Sequence, residues 1–202
     1  MGEKNFSILS APGDMGEALL EKLKILCDVV SCPKAHTSSA EDTKLCAQIM
    51  KEQGVDLLVF CGGDGTARDI CEAVGTDVTV LGIPAGVKMY SACYACNPYQ
   101  AGEMLAGWLE GKEMSYEMRE VLDIEEKDLD SRNVSPQLYG FLEVLSDGKH
   151  LQKAKELDLG SGESATIIAR AAILRMEKDW VYIIGPGGTT WKIKELLCEN
   201  DE

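Results

Sequence analysis

Residues 55–70, Val-Asp-Leu-Leu-Val-Phe-Cys-Gly-Gly-Asp-Gly-Thr-Ala-Arg-Asp-Ile, leave this chain few choices of fold. Residues 55–61 are apolar apart from one early acid, and their length suits a buried strand. Gly62, Gly63 and Gly65 then surround a single carboxylate, Asp64. Thr66 opens a helical pattern that runs to Val74. A strand that passes through a glycine turn straight into a helix belongs in a β–α alternation.

The surrounding sequence continues that alternation. Residues 6–10 read as a strand, and Asp14 to about Ile25 as an amphipathic helix with Leu19, Leu20 and Leu23 on one face. Residues 28–31 are a second strand, and 33–39 a loop. Ser38 or Ser39 caps a helix to about Gln53, with Leu45, Ile49 and Met50 turned inward. Residues 78–83 form a strand, Pro84-Ala85-Gly86 a turn, and 98–109 a helix with Asn97 as cap and Pro98 in its first turn. Near-continuous apolar strands in such an order predict an α/β fold: a parallel sheet with helices on both faces. Ligands of such sheets bind beyond the carboxyl ends of the strands, where both glycine turns, 62–65 and 84–86, lie.

The pattern changes near residue 113. Residues 114–124 and 137–145 alternate polar and apolar, which predicts antiparallel strands joined by a polar connector at 125–135. Residues 146–160 are a second connector. A helix is expected over 161–176, a strand over 181–184, then Gly185-Pro186-Gly187-Gly188 and a helix from Thr189 to Leu197. The organisation predicted is an α/β domain over 1–113 and a smaller, partly antiparallel, β-containing unit over 114–202.

Charge narrows the partners. The 202-residue chain carries a formal charge of −14, which repels a polyphosphate backbone and argues against nucleic acid. A nucleotide is still admissible, since a few N–H groups and cations can hold it. Apolar runs are strand-sized, far below the roughly 20 residues of a membrane helix. The first residues, Met-Gly-Glu-Lys-Asn, lack the form of a signal peptide, so a cytoplasmic location is expected. The eight cysteines are scattered, several within apolar strands or helices, where they act as small hydrophobes. Cys93 and Cys96 have metal or redox spacing, but no second pair follows and His36 and His150 are remote in sequence; no metal site is expected.

A glycine turn between strand and helix is a natural phosphate seat, because backbone N–H groups point out of it. A carboxylate there can orient a hydroxyl and accept its proton as a phosphoryl group is transferred. Asp64 is therefore the candidate base. Gly63 and Gly65 permit close backbone approach and positive φ, and Thr66 can cap the helix or reach a phosphate oxygen. Arg68 either meets a phosphate or pairs with an acidic neighbour, and Asp69 offsets the helix dipole. In the second loop, Gly86, Lys88 and Ser91 offer a bare backbone, a cation and a hydroxyl. Glu41, Asp42 and Thr43 suit an ordinary helix start. Thr189 and Thr190 serve equally as caps or ligand contacts, and Tyr90, Tyr94 and Tyr99 read as packing residues.

Gly62-Gly63-Asp64-Gly65-Thr66 is similar to the signature of NAD kinases, of diacylglycerol and sphingoid lipid kinases and, more loosely, of 6-phosphofructokinases. The longer strings, 62–70 and Leu-Gly-Ile-Pro-Ala-Gly-Val-Lys-Met-Tyr-Ser-Ala at 81–92, resemble the ATP-NAD kinase family, in the branch that includes acetoin-catabolism X proteins. Residues 11–17, 40–44, 120–126, 138–142 and 183–190 also resemble it. The resemblance implies ATP-dependent phosphorylation of the NAD 2′-hydroxyl with Mg2+. It implies that Asp64 is the base, that the glycines and Thr66 hold the nucleotide, and that residues 86–91 shape the same cleft. It also implies a homo-oligomer and, set against the family pattern, either a shortened member or a fragment of one, whose site a partner copy would complete. Two rival readings are a nucleotide-binding protein without kinase activity and a kinase of another hydroxyl, such as a lipid. Polyphosphate is an alternative donor.

Overall fold

A computed structural model describes residues 6–32, 38–86, 89–124, 136–152, 162–185 and 187–198. The chain divides into two compact units, residues 1–155 and 156–202. The first contains β1 (Leu9–Ser10), a 3-10 turn (Gly13–Met15), α1 (Glu17–Lys22), β2 (Asp28–Val29), α2 (Ala40–Glu52), β3 (Leu58–Gly62), α3 (Asp64–Val74), β4 (Val80–Pro84), α4 (Pro98–Glu110), β5 (Ser115–Asp123) and β6 (Gln137–Ser146). The second contains α5 (Gly162–Ile173) and α6 (Gly188–Cys198). Among the described residues no helix is long and apolar enough to cross a membrane.

The strands form two sheets. β1 and β2 pair in parallel as a short ribbon. The main sheet has the order β3-β4-β6-β5. β3 pairs in parallel with β4, and β4 with β6, whereas β5 runs antiparallel to β6 with a bulge between Val121 and Leu122. This is the expected α/β fold, a parallel-dominated sheet continued by antiparallel strands. The main sheet runs across the boundary expected at 113, because β6 enters it beside β4 and carries β5 with it. The compact division falls instead at 155/156.

Period-two alternation divides the core between the two faces of this sheet. On one face Leu58, Phe60, Val80, Leu142 and Val144 pack with Ala67, Ile70, Ala73 and Val74 of α3. On the other, Leu81 and Leu145 pack with Ala101 and Met104 of α4. Val80, Leu81, Val144 and Leu145 are fully buried, each worth about 1.5–3 kcal/mol of transfer free energy. β4 is covered on both faces, with Val80, Leu81 and Gly82 buried, whereas β3 at the end of the sheet buries Leu58 and Phe60 and leaves Val59 and Cys61 exposed.

The helix starts follow their sequence signals. Ser39 caps α2 in a capping box with Asp42. Asn97 accepts from the N–H of Gln100, and Pro98 fills the first position of α4. Other expectations need correction. α2 turns Cys46 toward the core of the β1–β2 ribbon and Ala47 toward the core shared with α3, and leaves Leu45 exposed. α1 is only six residues long and buries none of them, so Leu19 and Leu23 are exposed. In the second unit, residues 181–184 form no strand, and Val181 and Ile183 are 91% and 97% exposed. A strand needs a ladder of hydrogen bonds to a neighbour, and among the described residues none pairs with this segment.

Candidate functional site

The site forms where β3 and β4 end. α3 begins at Asp64, two residues earlier than the pattern predicts, and its N-cap is Gly63, with no side-chain cap. Thr66 therefore lies within the first turn and is not the cap. The first helical hydrogen bond runs from Ala67 N–H to Gly63 O. The N–H groups of 64–66 thus lie ahead of the helical ladder, at the positive end of the helix dipole.

The glycines act through space, not through unusual backbone angles. None of Gly62, Gly63, Gly65 or Gly86 has the positive φ expected for Gly63 and Gly65. A Cβ on Gly62 would run into the Thr66 side chain. On Gly86 it would press on Met89, with the Gly63 Cα 3.6 Å away. Gly63 and Gly65 are different. A Cβ on Gly63 meets nothing within 4 Å, and on Gly65 only Asp123 Oδ2 at 4.0 Å. Packing requires glycine at neither, and its effect there is to leave the start of α3 bare.

Asp64 ties the two glycine loops together. Its Oδ2 accepts the N–H of Tyr90 at 2.7 Å and its Oδ1 the N–H of Ser91 at 2.9 Å. The carboxylate is only 8% exposed. The Ala85 N–H donates to Gly62 O at 2.9 Å, so the second loop is fastened to the first at two levels. Ser91 extends the network: its hydroxyl donates to Leu122 O at 2.8 Å and accepts the Leu122 N–H at 3.0 Å, beside the β5 bulge. Ser91 is thus a buried brace between loop and sheet. Lys88 lies outside the described residues.

Tyr94 supports the turn from beneath. It is fully buried, its ring meets Phe60 edge-on at 5.5 Å, and its hydroxyl donates to Gly63 O at 2.5 Å. Burial pushes the phenol well above the usual tyrosine range. Gly82 makes room for it: a Cβ there would lie 2.6 Å from the Tyr94 ring.

Arg68 takes the acidic-neighbour arrangement, and the neighbour is distant in sequence. Its guanidinium donates to Asp123 Oδ2 at 2.8 Å and lies 5.3 Å from the Tyr139 ring centre. Desolvation works against the cation, but Tyr139, Asp123 and Asp69 outweigh it and raise its pKa. Arg68, Cys71, Glu72 and Tyr139 line an open surface depression. Asp69 is buried within α3, not placed at its dipole, and burial pushes its carboxyl upward against the pull of Arg68 and Lys44.

The remaining candidates stand apart from this network. Thr43 donates to Ser39 O and belongs to the α2 cap. Cys93 is buried, its thiol pushed up to about 12 by burial, while Cys96 is exposed. Among the described residues no three His, Cys, Asp or Glu side chains gather as a metal site. Tyr99 is exposed. In the second unit, Thr190 donates to Gly187 O within the first turn of α6. Asp123, Tyr94 and Tyr139 join the site without having been singled out for it. No spacing signal connects them to Asp64, because they reach it through sheet order.

Fold and site together define an α/β protein with an acid-bearing glycine turn at the carboxyl edge of a parallel sheet, a seat suited to phosphate chemistry. The chain belongs to the ATP-NAD kinase family: residues 3–113, more than half its length, match the ATP-NAD kinase N-terminal domain. Kinase-type phosphoryl transfer with a nucleotide is the chemistry of that family. No curated protein and no solved structure shows significant similarity to the chain.

Proposed function

We propose that this chain transfers a phosphoryl group from ATP to the 2′-hydroxyl of NAD, giving NADP, with Asp64 as the base. The observation that carries the reading is the position of Asp64. It stands at the first position of α3, between bare glycines, held by two N–H donors from the second loop. Each carboxylate oxygen has a further lone pair beyond its amide partner. Such an acid is fixed in direction and can still accept the proton of a hydroxyl.

The other assignments follow from the same placement. The N–H groups at the start of α3 and the open surfaces of Gly63 and Gly65 receive phosphate. Gly62 and Gly86 let the two loops meet, Ser91 braces the second, and Thr66 and Lys88 contact the nucleotide. Arg68 would engage a phosphate by exchanging Asp123 for it. Asp123, once Arg68 has moved to a phosphate, would offer Mg2+ a hard carboxylate oxygen, and magnesium commonly takes one or two of these beside substrate phosphates and water. When bound, the ion would neutralise charge on the transferring phosphoryl group. The same reading includes the acetoin-catabolism branch, a homo-oligomer and a cytoplasmic location, without nucleic acid or membrane as partner. Size-exclusion chromatography with light scattering checks the oligomer, and a monomer removes it.

The test is purified protein with Mg2+ and NAD, supplied with ATP or polyphosphate and assayed for NADP. Asp64→Asn is expected to lower the rate at least about 100-fold. The amide also turns an N–H₂ toward one of the two backbone donors, so a stability loss of about 1–3 kcal/mol is expected. Activity should therefore be compared below the variant's own unfolding transition. No NADP with ATP still bound favours the binding-protein reading. Phosphorylation of a lipid hydroxyl in its place sinks the NAD assignment.

A further inference from the structure

The Cys32 and Cys46 sulfurs lie 2.8 Å apart, although 14 positions separate them in the chain. Two carbon atoms rest in contact at about 3.5–4.0 Å, and sulfur is larger, so the two sulfurs lie closer than ordinary non-bonded contact. Cys32 follows β2, and Cys46 lies in the middle of α2. Both belong to the small core in which Ala11, Val30 and Cys46 pack with Leu9, Met15 and Ile49. This core joins the β1–β2 ribbon to α2, and Lys44 of α2 in turn pairs with Glu72 of α3 at 2.9 Å. Nothing in the proposed phosphoryl transfer uses either thiol.

We propose that Cys32 and Cys46 are a reversible oxidation site that closes to an intramolecular disulfide when a small-molecule disulfide is the oxidant. Cys32 is half-buried and Cys46 buried. Burial, with the neighbouring Cys32 and Asp42 adding to it, pushes the Cys46 thiol up to about 12. Cys32 is accordingly the first nucleophile, since the thiolate is the attacking form. Its thiolate attacks oxidised glutathione, and one glutathione leaves as thiolate and takes up a proton. Cys46 then releases its proton to water and attacks the Cys32 sulfur, and the second glutathione leaves in the same way. Two protein thiols are oxidised by two electrons, and one glutathione disulfide is reduced to two thiols. The bridge fastens the end of β2 to α2.

The experiment uses the full purified chain, incubated with glutathione disulfide or with dithiothreitol, followed by alkylation, digestion and mass spectrometry without reduction. The expected product is a Cys32–Cys46 cross-linked peptide at least about ten times more abundant than any other cysteine pair. Closing a loop of this length should raise Tm by about 5–10 °C, and dithiothreitol should reverse the rise. Cys46→Ala should trap Cys32 as a mixed disulfide with glutathione, and Cys32→Ala should leave Cys46 unmodified. A stable Cys32–glutathione adduct in the unsubstituted chain, or random pairing among the exposed cysteines, overturns the site. Rapid glutathionylation of Cys46 in Cys32→Ala overturns the order of attack. Cys32 is the less buried of the two, so its variant keeps the test usable if Cys46→Ala fails to fold.

Discussion

Two stretches of this chain share one local pattern and take different structures. Residues 55–66 and 181–190 both run from an apolar segment through glycines to threonine and a helix. The first becomes β3 and α3, with Leu58 and Phe60 buried and β3 paired to β4 along its whole length. The second yields the helix α6, but its apolar segment stays unpaired among the described residues, with Val181 and Ile183 exposed. A helix closes its hydrogen bonds within its own segment, whereas a strand depends on another one. Local pattern is therefore enough for α6 and not enough for a strand at 181–184.

Hydrogen exchange should show the largest contrast. Amides of β3 and β4 are expected to exchange at least about 1,000-fold more slowly than unstructured peptide, and those of 181–184 within about tenfold of it. Equal protection would mean that the second apolar segment has found a strand partner.

Glycine replacement comes next. Gly62→Ala forces a Cβ into Thr66 and should cost about 2 kcal/mol or more, read as a Tm drop of about 5 °C. Gly188→Ala meets nothing within 4 Å at the start of α6 and should be neutral or gain up to about 1 kcal/mol. A tolerated Gly62→Ala would show that space is not what glycine supplies in the first turn.

Tyr94→Phe keeps the ring and removes the hydrogen bond to Gly63 O. The expected cost is about 1 kcal/mol by chemical denaturation. A larger fall in the proposed kinase rate than in ATP binding would mark Tyr94 as a positioning residue for the turn. In the second turn Gly187 O accepts from both the Thr190 hydroxyl and the Trp191 N–H, so Thr190→Val should move Tm less.

The smallest effect is a pH dependence. Burial raises the Asp69 carboxyl, so the folded state holds its proton to higher pH than the unfolded state does. Stability therefore falls as pH rises from the unfolded value through the raised folded one, and the loss is complete above it. Asp69→Asn should stabilise at pH 7 by about 1–3 °C, with the gain vanishing below the ordinary carboxylate pKa. Glu195→Gln, which removes an exposed pair with Lys192 on α6, should change stability by no more than about 0.5 kcal/mol at any pH.

Much of the fold was legible because its signals are local. Ser39 and Asn97 begin their helices as their side chains demand, and the apolar strands at 58–62 and 80–84 lie where the pattern put them. The alternation at 114–124 and 137–145 announced the antiparallel pair. Leu45 and Leu19 misled, because an amphipathic stripe shows which residues could face a core and not whether a neighbour covers them. At the site, Asp64 and its glycines were legible as a motif. Its Tyr90 and Ser91 partners, the Tyr94 prop and the Arg68–Asp123 pair were not.

By itself, the sequence determined the β–α alternation, the acid-bearing turn and, through the matched residues 3–113, the family. Those are properties of neighbouring residues, set by periodicity, capping and glycine placement. Only the tertiary structure decided that β6 inserts beside β4, that both Asp64 oxygens hold the second loop, and that Cys32 meets Cys46. Each joins positions far apart along the chain, and such contacts are selected by which faces and hydrogen-bonding edges the assembled core brings together.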